Sequence, residues 1–222
     1  MNLQICVPYE KCPYKCPMCI ANNRKRFADN YKNANYLYKQ RLENIKNNYN
    51  YFILTGDTEP TLNSHWLKTV LQVLKGKQIE LQTRNYNLHD YNLNHLTTLA
   101  YSITKLQDYL KAWSFQKIGG NNRLVILLTK DFEILTADNF NSMGYNQITF
   151  KVLQPTNDTK TNEWIQKNQM TDFTNIYDII DKYNGSEVSI RIDTNCQDSI
   201  NRYEIFRSDG LIYTDWETTI PK

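Results

Sequence analysis

The sequence predicts an α/β protein built on a parallel sheet. Up to Pro155, short apolar runs alternate with longer stretches of helical period, the pattern of strands joined by crossover helices. After Gly185 the pattern changes to short strand-like runs around Asp209-Gly210. No low-complexity segment, heptad array or solenoid period interrupts the chain. Parallel neighbours need a crossover, and crossovers are almost always right-handed. Six such repeats make either a doubly wound sheet or a partly closed barrel.

The elements follow in order. The first strand spans residues 3–7 and ends at Pro8; the second spans 51–55 and ends at Gly56. The third and fourth occupy 78–83 and 99–103. The fifth, 124–128, follows the turn signal Gly119-Gly120-Asn121-Asn122, and the sixth, 147–153, is closed by Pro155. A helix is clearest at 63–74, where Trp66, Leu67, Val70, Leu71 and Leu74 share one face. Residues 41–49 and 161–183 also read as helical, the latter with a break. Residues 187–192 alternate in strand fashion. Tyr203-Glu204-Ile205-Phe206 and Leu211-Ile212-Tyr213-Thr214 flank Arg207-Ser208-Asp209-Gly210, a hairpin signal. The expected organisation is one domain over 1–185, with a β extension over 186–222 packed on it.

Composition bounds the function. Lys and Arg number 26 against 23 Asp and Glu, a net charge of only +3. Dedicated nucleic-acid binders normally carry a large, clustered basic surplus. No apolar run approaches the ~20 residues that cross a bilayer. The start, Met1-Asn2-Leu3-Gln4-Ile5-Cys6, lacks the basic and long apolar regions of a signal peptide. A cytoplasmic location is expected, where thiols stay reduced.

Five cysteines are present, four of them Cys6, Cys12, Cys16 and Cys19. A tight cluster in a reducing compartment points to a metal site and not to disulfides. Cys196 stands alone and reads as an ordinary small residue. Cys12, Cys16 and Cys19 have the spacing C-x3-C-x2-C on the loop after strand one, where parallel α/β folds place their chemistry. Three thiolates around one inorganic centre leave a coordination position open, whereas a structural zinc site is closed by four. An iron–sulfur centre fits this arrangement; zinc fits if Cys6 serves as fourth ligand. Pro13 and Pro17 bias the cysteines before them toward extended backbone and offer no N–H to sulfur.

A second motif, Leu54-Thr55-Gly56-Asp57-Thr58-Glu59-Pro60-Thr61-Leu62, follows strand two. Gly56 permits a sharp turn at the strand end. Glu59 supplies an acceptor for an ammonium group, a charge-assisted pairing. Pro60 stiffens the entry to the next helix.

Together these two motifs resemble those of the radical S-adenosylmethionine (radical SAM) superfamily. The match is to its cysteine loop and to the long form of its "GGEP" stretch, in the same order. Met18 stands where the family usually has an aromatic residue, and Asp57 and Thr58 replace glycines. The resemblance implies a partial (β/α)6 barrel of parallel strands with a small C-terminal β-hairpin appendage. It implies a [4Fe–4S] cluster on Cys12, Cys16 and Cys19, with S-adenosyl-L-methionine on the fourth iron. Met18 would pack on the adenine, and Gly56, Asp57, Thr58 and Glu59 would hold the methionine moiety. Ser102 would meet the ribose, with Thr83, Asn85 and Gln154 facing the pocket. The implied activity is reductive cleavage of S-adenosylmethionine to methionine and a 5′-deoxyadenosyl radical, which takes hydrogen from a substrate.

The implied partners are a small-molecule or nucleotide substrate and an external one-electron donor such as flavodoxin or ferredoxin. A glycyl-radical-enzyme activase and a peptide-modifying enzyme are the alternatives within the family, and a zinc-binding interaction module is the one outside it. Lacking a second cysteine set, the chain is not expected to hold an auxiliary cluster. Residues 196–222 are expected to cover the barrel mouth. His65, His89 and His95 read as surface or helix-end residues.

Overall fold

The computed structural model describes residues 1–8, 12–19, 35–56, 58–132, 143–153, 155, 158–170, 188–193 and 203–214. The apolar runs become strands: β1 (Asn2–Ile5), β2 (Tyr51–Leu54), β3 (Gln78–Thr83), β4 (Thr98–Ile103), β5 (Asn121–Leu127) and β6 (Gln147–Lys151). Three more follow: β7 (Ser189–Asp193), β8 (Tyr203–Phe206) and β9 (Ile212–Tyr213). They form one open sheet in the order β7-β6-β5-β4-β3-β2-β1-β8-β9. All neighbours are parallel except β8 and β9. The partial-barrel reading holds for β1–β6, and the parallel set continues past it at both ends. β7 adds to β6, and β8 adds to β1.

The chain reverses between β8 and β9 at Ser208-Asp209-Gly210. Arg207 N–H donates to Leu211 O at 3.0 Å and Gly210 N–H to Arg207 O at 2.9 Å. Gly210 has φ +77°, the left-handed position that closes a three-residue hairpin. Arg41 of the first helix donates to the Asp209 and Gly210 carbonyls at 3.2 and 3.4 Å, clasping the hairpin.

Four helices are described: α1 (Asn35–Ile45), α2 (Ser64–Val73), α3 (Leu106–Tyr109) and α4 (Thr159–Asn168). α2 follows its sequence pattern, with Trp66, Leu67, Val70, Leu71 and Val73 buried, and Asn63 caps it by accepting from Trp66 N–H at 3.1 Å. α1 begins before the expected 41–49 and passes into a 3-10 turn at Lys46–Asn48. Tyr38 and Leu42 are its fully buried apolar residues, while Leu37 is exposed, so its periodic signal is thin. The helix expected over 161–183 stops at Asn168. Gln169 turns extended and bridges Thr129; residues 171–187 lie outside the described set.

Alternation sorts the sheet into two faces. Leu3, Ile5, Phe52, Leu54, Ile79, Leu81, Leu99, Tyr101, Leu124, Ile126, Ile148 and Phe150 enter one apolar core with the α2 face. The opposite face is polar. There Tyr51 donates to Glu80 Oε2 at 2.6 Å, Gln82 to Glu80 Oε1 at 2.8 Å, and Arg123 Nη1 to Glu80 Oε1 at 2.9 Å. Arg123 Nε also donates to Gln147 Oε1 at 2.6 Å. Arg123 on β5 reaches β3 across β4, where its register partner Ala100 carries only a methyl group. The network lies toward the amino ends of its strands and fills the base of this face.

Leu67 is fully buried. Leu67→Ala is expected to lower the unfolding free energy by about 2–5 kcal/mol in urea titrations. Leu110→Ala, at a side chain 60% exposed, should stay within about 0.5 kcal/mol of the parent.

Candidate functional site

The carboxyl ends of β1, β2 and β3 carry the two sequence motifs. Beyond β1 the chain runs through Pro8 to the cysteine loop, of which residues 12–19 are described. Cys19 N–H donates to Cys16 O at 3.1 Å, so Cys16-Pro17-Met18-Cys19 is a β-turn with proline at its second position. That turn keeps the Cys16 and Cys19 α-carbons within roughly 7 Å. Cys12, Cys16, Met18 and Cys19 are all part-buried. The turn is held from the other side by α4, whose Thr161 hydroxyl lies 3.2 Å from Pro17 O. Asp158 caps that helix by accepting from Thr161 N–H at 2.8 Å.

β2 ends at Leu54, and the backbone turns at Gly56, whose φ of +124° favours glycine. The turn delivers Glu59 into the protein, 5% exposed. Thr61 donates to Glu59 Oε1 from its N–H at 3.2 Å and its hydroxyl at 2.9 Å; the Thr83 hydroxyl donates to the same oxygen. Arg84 N–H donates to Oε2 at 2.8 Å. A carboxylate has about four acceptor sites, and among the described residues Oε2 keeps one open. Burial raises the Glu59 pKa above its ordinary value, against the opposing donors Arg84 N–H, Thr83 and Thr61.

The loop and the carboxylate meet. Burial pushes the Cys12 thiol up; the Tyr14 amide opposes this, the charges of Cys16 and Glu59 add to it, and the Glu59 amide opposes it. Arg84 Nη1 donates to Cys16 Sγ at 2.6 Å, and its guanidinium lies 5.1 Å from the centre of the Tyr14 ring. The prolines give no N–H to sulfur, and the side chain of Arg84, just past the end of β3, supplies one.

The remaining expected residues fall as follows. The Thr58 hydroxyl and Arg84 Nε are buried with no hydrogen-bond partner among the described residues. Ser102 is half-buried near the end of β4 on the polar face, and its carbonyl accepts from Tyr86 at 2.9 Å. Thr83 is bound to Glu59, and its Oγ1 also accepts from Asn85 N–H at 2.9 Å. Asn85 Oδ1 accepts from Asn87 N–H at 3.1 Å, stabilising its own loop. Asp57 and Gln154 lie outside the described residues. Lys151 faces Asp193 at 3.9 Å. Cys6 packs with Ile205 and Tyr213, away from the cysteine turn. The three histidines are exposed. Tyr14, Thr61 and Arg84 are the site residues to which sequence reasoning gave no role. Arg84 directly follows Thr83, and that adjacency was the available signal.

Among the described residues, no three of His, Cys, Asp and Glu are gathered as ligands of a single metal ion. The chemistry of the donors fits a larger inorganic core with a polar ligand beside it. Three thiols share one loop; the Glu59 amide and charge act on Cys12, Arg84 donates to Cys16, and the Thr58 hydroxyl and Arg84 Nε are polar atoms still without a partner among the described residues.

Fold and site together define an α/β partial barrel with a cysteine loop at the carboxyl edge of its sheet. No family model matches the chain, and no curated protein sequence matches it. Solved structures do. Streptococcus suis SuiB bound to S-adenosylmethionine is 14% identical, with a TM-score of 0.61 over 96% of this chain and 59% of that one. SuiB bound to its precursor peptide SuiA is 13% identical, with a TM-score of 0.60 over 96% and 58%. The likeness is one of fold, and the chain spans less than two thirds of the SuiB chain. No helix among the described residues is long and apolar enough to cross a membrane.

The raised Glu59 pKa has a consequence for stability. The folded state keeps its proton to higher pH than the unfolded chain, so this group's contribution falls as pH rises from the ordinary carboxylate range through the raised value. Glu59→Gln fixes the neutral form. Its stability relative to the parent, followed by denaturant titration without ligands, should improve from about pH 4 to about pH 8. A relative stability that worsens over that range would show the hydrogen bonds, and not burial, dominating.

Proposed function

We propose that the chain is a radical SAM enzyme, with Cys12, Cys16 and Cys19 holding three irons of a [4Fe–4S] cluster. The observation that carries this reading is the convergence of the cysteine loop on buried Glu59 at the carboxyl ends of β1–β3. The bound cluster and S-adenosylmethionine supply one-electron cleavage chemistry that the chain's own side chains lack. The chain's part is to bind, orient and shield. Glu59 Oε2 offers its open lone pair to the ammonium of the methionine moiety, and the buried Thr58 hydroxyl of the same loop is assigned to that moiety too. Gly56 shapes that loop. Met18 and Ser102 are assigned to adenine and ribose, and Asp57 and Gln154 to the same pocket. Cys6 lies in an apolar cluster, which weakens the closed zinc alternative.

The substrate class best supported is a peptide, because a solved structure of the same fold is bound to a precursor peptide. This reading is favoured over the small molecule or nucleotide first expected, and takes up the peptide-modifying alternative. Electrons would come from a flavodoxin- or ferredoxin-like donor.

Anaerobic reconstitution should give a coloured protein containing iron and acid-labile sulfide. With S-adenosylmethionine and a strong reductant it should form 5′-deoxyadenosine, and Cys16→Ala should form at least about tenfold less, equivalent to roughly 1.4 kcal/mol of barrier. Zinc without sulfide would instead identify an interaction module. Peptide and nucleotide collections scored by stimulated cleavage would decide the substrate; stimulation by nucleotides alone would reject the peptide.

A further inference from the structure

One residue touches both halves of the site. Arg84 N–H donates to Glu59 Oε2 at 2.8 Å, while Arg84 Nη1 donates to Cys16 Sγ at 2.6 Å. Its backbone is fixed by position, since the preceding Thr83 also donates to Glu59. Its side chain, 18% exposed, is fixed by its neighbours. Tyr14 lies under the guanidinium, and Asp108 Oδ2 stands 3.9 Å from Nη2. Asp108 is itself 3.3 Å from the Tyr86 hydroxyl, and the Tyr86 ring stacks on Phe115 with centroids 4.4 Å apart and planes 5° from parallel. The cation is therefore held between the cysteine loop, α3 and the aromatic pair beside them.

We propose that Arg84 is a positioning residue that sets the reduction potential of the centre ligated by Cys16. This inference rests on the proposed function and adds to it a residue outside both sequence motifs. A donor to a ligand sulfur draws electron density from it, and a nearby positive charge favours the more negative, reduced state of a cluster. Half-burial strengthens both effects, because solvent screens them less. The fork of the guanidinium also matters. Nη1 serves sulfur while Nη2 faces Asp108, a division that the point charge of lysine cannot reproduce. Arg84 thus raises the potential and makes the cluster easier to reduce.

The test uses full-length protein reconstituted anaerobically, with the midpoint followed by electron paramagnetic resonance in the absence of S-adenosylmethionine. Arg84→Gln is expected to load the same iron and sulfide as the parent and to show a more negative midpoint. Arg84→Lys is expected to recover part of that shift. A cluster intact in Arg84→Gln with the parent's midpoint overturns the proposal and leaves the proposed function standing. If Arg84→Gln does not load, Arg84→Lys decides: a midpoint below the parent's supports the proposal, whereas an unchanged midpoint or no loading overturns it. A parent protein that takes up no iron and sulfide overturns the proposed function, and this inference with it.

Discussion

The site depends on one buried carboxylate. Glu59 lies 5% exposed, with four donors drawn from the turn after β2 and the end of β3. Hydrogen bonds to a charged group contribute about 1.5–3 kcal/mol each, while burying a carboxylate costs several kcal/mol even after relaxation. The raised pKa shows that burial retains a net effect after the donors are made. Such a group holds two strand ends in a fixed relation and gains most from a neighbouring cation. The ammonium ligand proposed above would supply that cation without disturbing the four donors, because it needs only the remaining Oε2 position.

The rest of the sheet gives this carboxylate a rigid frame. One face of β1–β6 is covered by apolar side chains and α2. The other face is polar, and its base is occupied by the Tyr51–Glu80–Arg123–Gln147 network. Glu80 is 2% exposed, so removing Arg123 would leave a buried charge unmatched. The network and Glu59 occupy opposite ends of the strands. The candidate site thus lies at the carboxyl edge, the usual place for function in parallel sheets.

Much of this was legible in local sequence. The six expected strands fall within a few residues of β1–β6, and β3 matches at both ends. Gly56 takes the unusual φ that its place in the motif demanded, and Asp209-Gly210 does form a hairpin. What local pattern could not reveal was partnership between distant elements. Residues 187–192 were expected as a strand of the C-terminal extension; their pairing with β6 is a property of the sheet, not of their own alternation. Arg84 reads as a loop arginine until β1, β2 and β3 are set side by side. Arg123, third in β5, likewise finds its partner two strands away, on Glu80 of β3.

Charge balance links the cysteine loop to the carboxylate. Without an inorganic core, Cys12, Cys16 and Glu59 crowd one another, and two responses are visible. Burial and the neighbouring Cys16 and Glu59 hold the Cys12 thiol protonated to higher pH. Arg84 moves the other way: burial works against its charge, but Cys16 and Tyr86 outweigh burial and raise its pKa. Iron reverses the logic, because a thiol must lose its proton to coordinate and the metal's own charge becomes the largest in the site. Metal bound there would turn the crowding around Cys12 into attraction. A fixed cation beside Cys16 limits how negative the assembled site becomes. Arg84 would be the counterweight that lets three thiolates and a buried carboxylate share one end of the sheet.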